Sequence, residues 1–105
     1  MITVRFLKAG SKPMAFTLSG HAGYADAGKD IVCAGVSSAV MLTANAITEQ
    51  FREKAEVTVE ENKISLQLPQ NAGIHSVKML EALMEHLKAL SEDYPKTIKI
   101  TVSEV

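Results

Sequence analysis

Along this chain the spacing of apolar residues switches repeatedly between a period of two and a period near 3.6, and the order of those switches limits the folds open to it. Ile2, Val4 and Phe6 alternate with more polar neighbours, and after the turn-forming AGSKP stretch Met14, Phe16 and Leu18 alternate again, which predicts a β-hairpin with Pro13 at the edge of its turn. From about Ile31 to Phe51 the period lengthens, with Val36, Val40, Ala44, Ile47 and Phe51 at helical spacing. Asp30 precedes that run and has the chemistry of an N-cap, a carboxylate able to accept from a first-turn amide. Val57 and Val59 are answered by Ile64, Leu66 and Leu68 across Glu60, Glu61 and Asn62, a second hairpin closed by Pro69. Val77, Leu80, Met84 and Leu87, flanked by Leu83 and Leu90, predict a second helix ending near Pro95, and Ile98, Ile100 and Val102 a last strand. The order ββαββαβ predicts an α+β fold, a mostly antiparallel sheet with both helices packed on one face.

At 105 residues the chain is expected to form one domain over residues 1–105. Apolar residues make up 47% and charged ones 22%, well away from the composition of disordered chains. A net charge of −1 and an aromatic content of 5% carry no basic or stacking signature of nucleic acid, and no direct nucleic-acid partner is expected. The first residues alternate rather than forming the apolar core of a signal peptide, and no run is read as reaching membrane-spanning length, so the expectation is a cytoplasmic protein with no membrane partner. The single cysteine excludes an internal disulfide and weighs against a thiolate zinc site. Cys33 is therefore either a buried packing residue or a reactive thiol.

The stretch GHAGYADAGKDIVCAGVSSAV, Gly20 to Val40, frames that choice. A cysteine attacks as the thiolate, so a catalytic one needs a helix N-terminus, a cationic neighbour or both. Placed three residues after an N-cap at Asp30, Cys33 falls in the first helical turn, where unpaired amides favour an anion and could hold a developing oxyanion. His21 ends the second strand, and the intervening residues are ample for a loop to bring imidazole and thiol together. Gly20, Gly23, Gly28 and Gly35 let this region bend tightly, and a loop from Gly23 to Gly28 that closes on substrate is expected. Asp26 or Asp30 could orient the imidazole, unless Asp30 is occupied with capping.

Each of these residues also has a plainer reading. Cys33 lies three residues before Val36 and seven before Val40, on the apolar stripe itself, and cysteine is among the most buried residue types. A histidine at a strand end is often only a polar terminus, and Gly23 and Gly28 can simply mark turns. Ser37 and Ser38 read as back-bonding or small packing residues, and no GxSxG elbow accompanies them. His75 and His86 are solvated or partly buried structural side chains on the second helix. No ligand spacing joins His21, His75 and His86, so neither a metal nor another cofactor is expected.

The segment Gly20, His21, Ala22 followed by Asp30, Ile31, Val32, Cys33, Ala34, Gly35, Val36 and Ser37 resembles the signature of the bacterial ribosomal-processing cysteine protease family, Prp. Length and element order match that family along essentially the whole chain. The resemblance implies a cysteine endopeptidase that removes a short N-terminal extension from the large-subunit ribosomal protein numbered twenty-seven during ribosome maturation. It implies Cys33 as nucleophile, His21 as the base that activates it and later protonates the leaving amine, and Asp30 and Ser37 as supporting residues. It also implies a homodimer, and substrates with bulky apolar residues, ending in paired phenylalanines, before the cut and a small residue after it.

Two rivals belong to other classes. A non-catalytic module bound to the ribosome or to RNA, with Cys33 buried, predicts that Cys33→Ala leaves function intact and that the native thiol resists alkylation. A thiol-dependent acyl transferase or redox protein would use the same Cys33, but the absence of a second cysteine argues against a thioredoxin-like cycle.

Overall fold

The structure, a computed structural model, describes residues 1–20 and 27–105, with the backbone alone for residues 27–30. Strands β1 (Ile2–Ala9) and β2 (Lys12–Ser19) form the first hairpin, α1 (Ala27–Asn45) follows, then β3 (Glu56–Glu60), β4 (Lys63–Gln67), α2 (Ile74–Asp93) and β5 (Ile98–Glu104). The sheet order is β3-β4-β2-β1-β5. Three of its pairings are antiparallel, and β5 joins β1 in parallel.

These directions explain why both helices share one face. β2 and β3 run parallel with β4 between them, and β4 and β5 run parallel with β2 and β1 between them. Each helix is thus a crossover between parallel strands, and such crossovers are right-handed. The two move in opposite directions across the sheet from strands of opposite sense, which brings both helices to the same side.

The register carries one row of side chains across all five strands. Val57, Leu66, Phe16, Phe6 and Val102 form one rank, and Val59, Ile64, Leu18, Val4 and Ile100 the next. Directly paired residues point to the same face, so these ranks all look toward the helices. The central members are buried beneath α2 residues Val77, Leu80, Leu83 and Leu87, α1 residues Val32, Val36 and Val40, and Ile47 just past the end of α1. Phe6 and Phe16 meet at 6.2 Å in a tilted arrangement that aromatic pairs favour. A register shift after Leu7 skips Met14, and beyond this bulge Pro13 turns inward and is buried.

Several expectations need correction. The first helix begins at Ala27, so Asp30 is an internal helical residue rather than the N-cap, and Gly28 lies in the first turn rather than in a loop. Periodicity could not reveal this start, because Ala27, Gly28 and Lys29 contribute no apolar stripe. At its other end the helix tightens no further but widens into one π-helical turn, Ala46–Gln50, with the Phe51 amide donating to the Ala46 carbonyl at 2.9 Å. That extra residue per turn rotates Phe51 off the stripe, leaving it 44% exposed against His75 at a ring separation of 5.8 Å. Val57 and Val59 form the expected hairpin but stand on an edge strand that the helices do not cover.

The expectation that no run approaches membrane-spanning length also fails. Ile31–Gln50 is long and apolar enough, with a mean hydropathy of 1.7. No charged residue occurs between Ile31 and Thr48. Here Val32, Val36, Val40 and Ile47 pack into the protein's own core, while Ile31, Met41 and Leu42 on the rest of the helix are exposed.

Candidate active site

Cys33 sits in the second turn of α1, not the first. It is half-buried and packs against the edge of the core, beside the fully buried Val32 and the exposed Ala34. At 100° per residue it lies to one side of the stripe of Val36 and Val40, at the boundary between core and surface. The thiol is thus neither sealed in the interior nor fully solvated. The orphan amides belong to the first turn, and an amide at position 33 falls within the helical ladder. The first-turn amides expected beside Cys33 therefore lie about a turn before it, and the helix dipole, which fades beyond the first turn, acts less strongly on position 33 than expected.

Positions 30, 33 and 37 follow an i, i+3, i+7 spacing and share one face of α1. Ser37 is exposed on that face. His21, Ala22, Gly23 and Asp26 lie outside the described residues, as does most of the expected Gly23 to Gly28 loop.

Gly20, the residue before His21, is described and tightly constrained. Its φ is +77°, and a Cβ there would stand 2.8 Å from the Met1 carbonyl oxygen. Its amide donates to the Asn62 carbonyl at 3.1 Å, in the β3–β4 turn. Only glycine combines that left-handed backbone with so close an approach. The end of β2 is consequently fixed between the first residue of the chain and the second hairpin.

A cavity of about 210 Å³ opens beside this point, between Ser37 and Gly20 on one side and the β3–β4 hairpin on the other, where Val59 and Ile64 are joined by the polar Glu60, Asn62 and Lys63. Sequence reading missed it, although the signal was present in the hairpin: Val59 pairs with Ile64 and shares its face. A larger groove of about 540 Å³ runs between α1 and α2, lined by Gly35, Ser38, Leu42, Met79, Leu83 and His86. It lies roughly on the opposite side of α1 from Cys33. His75 and His86 are both exposed. Among the described residues no three potential metal ligands come together.

The family model of the cysteine protease Prp matches residues 1–99. The chain belongs to the Prp family. It is a cysteine protease family, which sets aside the rival reading of a non-catalytic module. The chain is 24% identical over 96 residues to the ribosomal processing cysteine protease Prp of Bacillus subtilis, covering 86% of each protein. It is 25% identical over 85 residues to the Prp of Staphylococcus aureus strain Mu50, covering 79% of this chain and 80% of that protein. The crystal structure of the essential S. aureus Prp with a covalently linked product peptide superimposes with a TM-score of 0.88 at 24% identity, covering 97% and 99% of the two chains. SMU.848 from Streptococcus mutans gives 0.89 at 22% identity, covering 100% and 96%. These likenesses extend the ββαββαβ Prp fold to this chain.

Proposed function

We propose that this protein removes a short N-terminal extension from the large-subunit ribosomal protein numbered twenty-seven, with Cys33 as nucleophile and His21 as general base. One observation carries the reading: in a chain of a cysteine protease family, the single cysteine stands half-buried at the margin of the core, where a thiol can be both positioned and reached. His21 takes the thiol proton, the thiolate attacks the scissile carbonyl, and the tetrahedral oxyanion collapses as imidazolium protonates the departing amine. Water, deprotonated by the same imidazole, then releases the acyl group and restores the thiol. Asp26 or Asp30 holds the imidazole in orientation; position 30 falls on the helix face that carries Cys33. Support for a peptide substrate comes from S. aureus Prp, whose structures hold a substrate peptide and a covalently linked product peptide.

The reading includes a cytoplasmic homodimer. Support for the dimer comes from the exposed side of α1, where Ile31, Met41 and Leu42 are 59%, 58% and 65% exposed and Leu42 lines the α1–α2 groove. An apolar surface of this kind suits burial against a second copy.

The test is incubation of the purified protein with the precursor ribosomal protein from the same organism, the N-terminus being followed by mass spectrometry. Loss of the extension with the wild type and not with Cys33→Ala is the expected result. A precursor carrying an extension that neither protein cuts would remove the substrate assignment.

A further inference from the structure

We infer that Asn62, at the tip of the β3–β4 hairpin, is a positioning residue for the reaction: its backbone anchors Gly20, and through Gly20 the point at which the chain leaves β2 for His21. The inference rests on the reading of His21 as the base and adds to it the element that holds its place in the chain. The β2–β4 ladder ends at the pair Ser19 and Lys63. One residue further on, the Gly20 amide still donates to the Asn62 carbonyl at 3.1 Å, so the sheet's hydrogen bonding reaches past the strand into the turn. Gly20 has a φ of +77° and Asn62 one of +72°. Both ends of this bond are thus left-handed, a region that glycine and asparagine enter most readily.

The turn has a shape that the hairpin alone does not call for. Glu61 and Asn62 join Glu60 to Lys63, and two-residue hairpin loops favour mirror-image turns whose first central residue has a positive φ. Here only the second, Asn62, has one. A departure of this kind persists where a contact elsewhere sustains it, and the Asn62 carbonyl makes such a contact with Gly20. On the β1 side Gly20 is closed in by the Met1 carbonyl oxygen, 2.8 Å from where a Cβ would stand. Consecutive Cα atoms are about 3.8 Å apart, so a shift at position 20 passes almost undiminished to position 21. A base takes a proton across about 2.6–3.2 Å between heavy atoms, and a misplacement of about 1 Å can cost about a hundredfold in rate. The anchoring group is a backbone carbonyl, so the conformation at position 62 matters and the Asn62 side-chain amide does not.

The test follows the rate of Cys33 alkylation by iodoacetamide across pH, a readout that needs no substrate, with circular dichroism showing that each variant is folded. Asn62→Val, whose β-branched side chain resists a positive φ, should shift the pH profile toward that of His21→Ala. Asn62→Gly accepts the same backbone and should keep the wild-type profile. Asn62→Ala, a milder change, should give a smaller shift in the same direction and carries the comparison if the valine variant does not fold. In a His21→Ala background these substitutions should have no further effect, because a residue that acts through His21 then has nothing to position, whereas a merely structural role would add its loss in either background. A profile that His21→Ala moves and folded Asn62→Val and Asn62→Ala do not, or an effect of equal size without His21, overturns the inference. If His21→Ala itself leaves the profile unmoved, the reading of His21 as base falls, and the role of Asn62 with it.

Discussion

Glu53, just past the π turn that ends the first helix, holds the start of the second helix from 20 residues away in sequence. Its Oε1 accepts a hydrogen bond from the Ser76 hydroxyl at 2.9 Å and another from the Gly73 amide at 2.8 Å. Gly73 occupies the N-cap position of α2 and has no side chain to cap with, so the carboxylate does that work from outside the helix. Ser76 is buried, and Glu53 is the partner of its hydroxyl. Glu53→Ala is expected to destabilise the protein by about 1–2 kcal/mol, the range of a lost cap that also leaves a buried hydroxyl unsatisfied. Urea denaturation checks this. A double-mutant cycle with Ser76→Ala should show coupling, whereas Glu85→Ala on the exposed face should stay within about 0.5 kcal/mol of wild type.

Gly20→Ala tests whether the strand end next to His21 is fixed. The new methyl would stand 2.8 Å from the Met1 carbonyl in a left-handed backbone, strain of about 1–3 kcal/mol that only movement of the β2 terminus can relieve. Loss of cleavage should exceed loss of stability, with activity falling at temperatures where the far-ultraviolet spectrum is still native. Gly10→Ala is the control: it has a similar φ of +66° but open space around the added methyl. It should lower stability without the same fall in cleavage.

Sequence periodicity carried most of the architecture, because strands half-buried on one sheet face and helices packed by one stripe leave the clearest patterns. The central ranks through Val4, Phe6, Phe16 and Leu18 and the stripe of Val77, Leu80 and Leu87 are of this kind. What escaped is what periodicity does not encode. Ala27 to Lys29 are helical without an apolar repeat, so the helix start and the N-cap at Asp30 were misplaced. Phe51 continued the arithmetic of the stripe, but a π turn changes that arithmetic after Ala46. Val59 was read correctly as a strand residue, yet its exposure depends on how far the helices reach, a property of packing. Cys33 was legible as a candidate through its composition and neighbours, while its half-buried position came only from the fold.

Cys33→Ala should abolish cleavage while changing stability little, by no more than about 1 kcal/mol, because a half-buried cysteine replaced by alanine leaves only a small space at the core margin. His21→Ala should slow both cleavage and alkylation of Cys33 by iodoacetamide, since a base acting on the thiol raises its thiolate fraction. Asp30→Asn separates orientation from capping. An internal helical Asp30 should give a variant as stable as wild type within about 0.5 kcal/mol, with the effect confined to cleavage. A loss of stability near 1 kcal/mol would return Asp30 to the helix cap.

The proposed dimer can be tested on the outer face of α1. Met41 and Leu42 are 58% and 65% exposed on a helix with no charge from Ile31 to Thr48, so a glutamate at position 42 adds charge where the proposed partner must be dry. A carboxylate buried there without a counter-charge costs several kcal/mol, more than a small interface can absorb. Leu42→Glu should therefore sediment as a monomer at concentrations where the wild type sediments as a dimer, with circular dichroism unchanged because the side chain is outside the core. Val59→Thr, away from this face, should leave the wild-type mass. If Leu42→Glu remains dimeric, the α1 face is not the contact; if the wild type is itself monomeric throughout, the dimer is lost from the proposal while the reading of Cys33 as nucleophile stands unaffected.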